Sequence, residues 1–171
     1  TTFTGERRAV YVDGNNKLHA YIPIGAIASV GQIYHDDPNT GGRALPQNVP
    51  TILNVQANFL SSDSSFDTPA VGVLRYKGAQ TRYVMVFYSV NAQIFSANNT
   101  IVEFEVYKNG SVVAGSIQTA RYVDPGTYRS VSAQILLQLA TDDTIAVYAT
   151  NTSDSNSIVV HAMQFTASLI I

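Results

Sequence analysis

The side chains able to do chemistry are few. The chain has three histidines, His19, His35 and His161, and no cysteine. A Ser–His–Asp triad is an arrangement in space rather than in sequence, and Ser and Asp are plentiful. No Gly-x-Ser-x-Gly nucleophile elbow occurs, however, and Gly115-Ser116 lacks its flanks. The histidines are therefore expected to be structural or to lie in an interface. His35-Asp36-Asp37 gathers hard and borderline metal ligands, and Asp63 and Asp67 flank a Ser-rich loop. Neither has the Asp-x-Asp-x-Asp-Gly spacing of a calcium loop, and no His-x-x-x-His pair suits zinc. Calcium in these loops is the lesser alternative to ordinary turn chemistry. Asp142-Asp143 could be a hydrolytic carboxylate pair, but it stands between two strand patterns and reads as a tight turn. Gly41-Gly42-Arg43 has no following Lys-Ser and makes no phosphate loop. The sequons at Asn98, Asn109 and Asn151 carry no weight in a chain so rich in Asn, Ser and Thr. The expectation is no catalytic residue, no metal site and no cofactor, hence no enzyme.

Composition narrows the remaining classes. Of 171 residues, 46% are apolar and only 13% charged, with a net charge of −2. Disorder requires the opposite balance. Nucleic acid and anionic membrane surfaces attract a basic footprint that this chain lacks. No apolar run approaches the ~20 residues of a membrane-spanning helix. Little charge is available to cover a surface, so Ser, Thr, Asn, Gln or other subunits must cover it.

The elements that would position any site are strands. Val131, Ala133, Ile135, Leu137 and Leu139 alternate with Ser130, Ser132, Gln134 and Gln138, broken only by Leu136. Val102, Phe104 and Val106 alternate with Glu103 and Glu105, which fits a strand with one wet side. Further candidates are 51–56, 71–76, 82–93, 112–120, 144–151 and 157–169, rich in the β-branched and aromatic residues that pleated surfaces favour. Asn109-Gly110 between two apolar runs is the strongest hairpin signal, because both residues tolerate positive φ. About eight strands without helices read as a sandwich or jelly roll.

Residues 1–48 differ. They hold one hairpin candidate, 7–12 with 17–22, followed by Pro- and Gly-broken apolar stretches. Such a segment cannot make its own core, and its apolar content suggests docking on a partner. The chain is accordingly divided into an N-terminal arm, 1–48, and a head, 49–171. In the head, Tyr83 and Phe87 share one face of a strand whose other face carries Val84, Val86 and Tyr88. Likewise Val160, Ala162 and Gln164 oppose Val159, His161, Met163 and Phe165. Strands apolar on both faces need a second cover. A further copy of the chain supplies it most simply, so an obligate homo-oligomer is expected rather than a monomer covered by its own arm.

Three runs in register resemble one family. Ser132-Ala133-Gln134-Ile135-Leu136-Leu137-Gln138-Leu139 with Asp143, Ile145 and Val147 resembles the corresponding run of complement globular heads, which belong to the tumour necrosis factor-like superfamily. Tyr83-Val84-Met85-Val86-Phe87-Tyr88-Ser89-Val90 is similar to its long aromatic strand, and Val106-Tyr107-Lys108-Asn109-Gly110 to its hairpin. The resemblance covers roughly residues 50–171 and implies an all-β, antiparallel jelly-roll β-sandwich forming a homotrimer, with no enzymatic activity. Collagen-like repeats and a secretion signal are missing from the sequence, so an animal ligand is not expected. The same head occurs on phage and other virion proteins, as capsid decoration (cement) trimers and as fibre tips.

The resulting expectation is a virion protein on the capsid surface. A trimeric head, preceded by an arm with a β-hairpin, would staple the major capsid protein, multiplying modest contacts through multivalency. Tyr83, Phe87, Gln134 and Gln138 are the candidates for the threefold contact, because the resemblance places their strands in the inner sheet. Arg7, Arg8, Tyr11, Tyr21 and Tyr34 are the candidates for the arm's partner contacts, Arg and Tyr being favoured anchors. The alternative is a receptor-binding head recognising a host glycan or protein through loops at Asn98-Asn99 and 153–156.

Overall fold

The computed structural model describes residues 10–12, 18–20, 29–35, 43–54, 58–95 and 99–170. These residues form fourteen strands and no helix. They are β1 (Val10–Val12), β2 (Leu18–Ala20), β3 (Val30–His35), β4 (Thr51–Ile52), β5 (Asn58–Ser61), β6 (Phe66–Ala70) and β7 (Val73–Tyr76). After them come β8 (Arg82–Ile94), β9 (Thr100–Lys108), β10 (Ser111–Val112), β11 (Gln118–Tyr122), β12 (Tyr128–Leu139), β13 (Thr144–Asn151) and β14 (Ile158–Leu169). β1 and β2 pair antiparallel, Val10 opposite Ala20, within the expected N-terminal hairpin.

Two antiparallel sheets face one another. One has five strands in the order β12-β8-β14-β3-β5. The other has seven, in the order β10-β9-β13-β7-β6, with β11 also on β9 and β4 also on β13. Between them lies one core, with Val84, Val86, Tyr88 and Val90 of β8 meeting Val102, Phe104 and Val106 of β9 and Ile145 and Val147 of β13. Successive side chains of a strand point to opposite faces, so the residues between these must face outward. The fold is an antiparallel jelly-roll β-sandwich, as the sequence implied.

Tyr88 ties the sheets together across the core. Its hydroxyl lies 2.9 Å from the Phe104 carbonyl oxygen and 2.8 Å from that of Ser116. Burial pushes the Tyr88 hydroxyl pKa well up, so it is a permanent donor. Ser116 is itself fully buried. Its Oγ accepts from the Val106 N–H at 2.9 Å and donates to the Val113 carbonyl at 2.7 Å. It closes the bend between β10 and β11, which has Gly115 at φ 79°. The expected single strand over 112–120 is thus two strands.

Three further expectations are corrected. The boundary near residue 48 does not separate arm from head. β3 pairs with β14 from Val30↔Ser168 to His35↔Met163, and Ile33 and Leu45 are buried in the core. The head reaches upstream at least to Ser29, whose carbonyl accepts from the Leu169 N–H. Inward-facing Gly31 admits the Phe66 ring, which would lie 2.6 Å from a Cβ at that position. Second, alternation in β14 is not continuous. The pairing with β8 slips between Val160↔Ala92 and Ala162↔Asn91, making His161 a one-residue bulge. Ile158 and Val160 therefore turn to the core with Met163 and Phe165, whereas unbroken alternation would put Val160 on the opposite side. Third, Tyr34 belongs to β3 in the head's five-stranded sheet, not to an arm.

Candidate functional site

The outward face of the five-stranded sheet holds the residues expected at a contact between copies, and register fixes its rows. Tyr83 of β8 stands opposite Gln138 of β12. In the next row Met85 lies between Leu136 and Ser168, with Val30 beyond. The third row runs Gln134, Phe87, Thr166, Gln32 and Leu60. The fourth runs Ser132, Ser89, Gln164, Tyr34 and Asn58. Asn91 closes the face between Ser130 and Ala162, its Nδ2 donating to Ser130 Oγ at 2.8 Å.

All four residues expected at a threefold contact, Tyr83, Phe87, Gln134 and Gln138, share this face. Met85, Leu136 and Leu60 stand on the same face without having been singled out from the sequence, and Tyr34, expected in the arm, stands there too. Met85 and Leu136 were visible as the outward positions of the same two strands. Leu60 and Tyr34 needed β3 and β5, which their Gly and Ser content conceals.

The face is graded along its strands. Tyr83, Met85, Leu136 and Val30 make one end apolar, with Tyr83 56% and Leu136 52% exposed. Hydroxyls and amides make the other end, where Gln32, Tyr34, Ser89, Asn91 and Gln164 line a concavity of about 370 Å³. No formal charge stands in these rows. Covering such a surface buries no charge, and its amides and hydroxyls require hydrogen-bond partners on whatever covers them.

Arg7, Arg8 and Tyr21, expected in partner docking, lie outside the described residues, as does the Asn98 end of the alternative loop site. Tyr11 lies in β1, opposite His19. The 151–156 turn is internally bonded: the Asn151 Oδ1 accepts from the Asp154 N–H at 3.0 Å, and Asp154 Oδ2 accepts from Thr100 Oγ1 at 2.6 Å. Asn151 is fully buried, so its sequon cannot carry a glycan in this fold.

The residues weighed for chemistry have structural partners. His161 lies on Tyr128, ring centroids 4.8 Å apart, with its Nε2 2.9 Å from Gln93 Oε1. Gln93 Nε2 in turn donates to the Gly126 carbonyl at 3.0 Å, which fixes the amide beside the His161 ring. Asp63 accepts from Ser29 Oγ and the Ser65 N–H, and these hydrogen bonds outweigh desolvation to hold its pKa below the usual range. Asp67 instead pairs bidentately with Arg75, at 2.9 and 2.6 Å. Asp142 pairs with Lys77 at 2.6 Å and Asp143 with Lys108 at 2.8 Å, as turn residues rather than a hydrolytic pair. Among the described residues no three of His, Asp and Glu gather as metal ligands.

No protein-family model matches the sequence, and no curated protein sequence matches it. Solved structures do match in shape. The chain is similar to PRD1 vertex protein P5, with a TM-score of 0.57 at 12% identity over 86% of this chain and 100% of that one. It is similar to the Eiger TNF of S. frugiperda, with a TM-score of 0.52 at 12% identity over 84% of this chain and 94% of that one. The globular domain of a zebrafish complement 1qA protein gives 0.51 at 10% identity, over 84% and 98%. In fold, then, the chain is a jelly roll of the tumour necrosis factor and complement globular-head type.

Proposed function

We propose that the chain is a structural protein of a virion: a homotrimeric capsid decoration (cement) protein, without enzymatic activity, that staples the major capsid protein. The observation carrying the trimer is the uncharged outward face of the five-stranded sheet. Its apolar end, left in water, would be an exposed patch of the kind soluble monomers avoid. The likeness to PRD1 vertex protein P5 over that chain's whole length supports a virion setting. Residues upstream of Ser29 are the segment left to reach a capsid, with Arg7, Arg8, Tyr11 and Tyr21 as its anchors. Three such segments on one trimer raise the effective concentration of each, so weak single contacts add to tight attachment.

The test has two parts. Light scattering on the purified chain should give three times the chain mass, and a monomer in dilute buffer overturns the trimer. Binding to purified capsids is then compared for the full chain and a chain starting at Ser29. The shortened chain should still assemble but lose capsid binding. Retained binding removes the staple. Binding to host cells or glycans in place of capsids would favour the receptor-binding alternative.

A further inference from the structure

The second sheet has an outward face too, and one carboxylate there is anomalous. On β9, Glu103, Glu105 and Tyr107 alternate with core residues and point away from the sandwich. Pairing with β13 sets Thr150 beside Glu103, Tyr148 beside Glu105 and Ala146 beside Tyr107. Tyr107 and Tyr148 stack, ring centroids 4.1 Å apart. Beside this stack Glu105 is only 8% exposed, and Thr150, in register with Glu103, is also only 8% exposed, although both stand on the outer face.

Other partly buried carboxylates of the head are compensated. Asp67 has Arg75, Asp143 has Lys108, and Asp154 has Thr100, Asn151 and the Asn156 N–H. Glu105 has the Tyr107 hydroxyl and, two residues away on the same face, the like charge of Glu103. Among the described residues neither glutamate forms an ion pair. Arg121, diagonal to Glu103 across β11 and β9, donates instead to Asn99 Oδ1 at 3.1 Å. The Thr150 hydroxyl, buried at the same spot, has no hydrogen-bond partner. A desolvated carboxylate beside a like charge and an orphaned hydroxyl lacks a positive charge.

The geometry points to a binding site for a hard divalent cation of the calcium class, held by the carboxylates of Glu103 and Glu105 with the Thr150 hydroxyl. The donors are all oxygens, which selects calcium-like ions over zinc or copper. Positions i and i+2 of a strand are roughly 7 Å apart, a span within which two glutamate side chains can converge on one ion. The burial of Glu105, beside the stacked tyrosines, suits a small ion better than the broad guanidinium of a partner. Two carboxylates and one neutral ligand leave water to complete the shell, so affinity falls in the weak range, about 0.1–1 mM. The site does not depend on how copies of the chain assemble.

Tyr107 and Tyr148 provide the readout, because tyrosine close to a bound terbium ion sensitises its emission. The full chain is titrated with terbium chloride and then with calcium chloride as competitor. A saturable sensitised emission displaced by calcium is expected. Glu103→Gln and Glu105→Gln should each weaken it by about tenfold or more, as removal of a charged ligand does. Thr150→Val, which keeps the shape of the side chain, should weaken it less. Asp124→Asn, at an exposed turn remote from the cluster in sequence, should leave it unchanged. Without any metal, Glu105→Gln should raise the unfolding temperature at neutral pH, since it removes an unpaired buried charge; this shows that the variant folds. No sensitised emission at millimolar terbium, or emission that survives both glutamine substitutions, overturns the site.

Discussion

Tyr88 and Ser116 show how single polar atoms hold this core in register. The Tyr88 hydroxyl reaches carbonyls of both Phe104 and Ser116 from the opposite sheet, in a place where water cannot substitute. Tyr88→Phe keeps the ring and removes only the one O–H that the two buried carbonyls share. The expected cost is about 1–2 kcal/mol, read as a lower urea midpoint with unchanged slope. Asp143 acts at the surface by similar means. Desolvation raises its pKa, but Lys108, Asn109 and the Ala140 N–H more than offset that and lower it overall. A carboxylate lowered on folding adds stability above its unfolded pKa of about 4, and loses it as pH falls through the lower folded value. Asp143→Asn should therefore be less stable than the parent at neutral pH, with the gap closing in acid. Thermal unfolding from neutral pH to below pH 3 checks this; a gap that stays constant contradicts it.

At the scale of elements, the strands that the sequence showed best are those with one uninterrupted parity and a decisive turn. β13 spans Thr144–Asn151, as read from alternation, and β9 turns into β10 at Asn109 and Gly110, with φ of 50° and 78°. Asn109 also accepts from the Thr144 N–H at 2.8 Å and donates to Asp143 at 2.6 Å, so one residue sets two turns. Alternation alone could not show the bulge at His161, because one extra residue inverts parity without changing composition. Nor could it show β3. Gly31 weakens the strand signal there, since a glycine has no side chain to pack on a pleated surface. Its reason is spatial: it is the gap into which Phe66 fits from β6. Gly31→Ala should displace that ring and cost about 1–3 kcal/mol, the usual range for overpacking. Phe66→Ala, which removes Cγ and the ring, combined with Gly31→Ala should cost less than the sum of the two single losses. Additive losses in thermal unfolding would show that the ring is not what occupies the space.

At the scale of the whole molecule, the two sides of β8 have separate tasks. Inward residues make the sandwich, while Tyr83, Met85 and Phe87 supply the face proposed to meet other copies. That Tyr83, Phe87, Gln134 and Gln138 share one face was legible because parity alone sets the faces of β8 and β12. Leu60 and Tyr34 were not, because their strands join the sheet only through tertiary pairing. The separation permits a substitution that acts on assembly without acting on the fold. Leu136 is half exposed on the edge strand β12, next to Met85, and its neighbour Leu137 carries the inward packing. An aspartate at an exposed strand position changes the stability of the lone chain little, within about 0.5 kcal/mol. Brought to a desolvated contact between copies, the same carboxylate would be buried without a partner, at a cost of several kcal/mol per copy. Leu136→Asp should therefore yield a folded monomer by light scattering, with the β-sheet signature of the parent by circular dichroism. A Leu136→Asp protein that remains trimeric would place the contact away from this face.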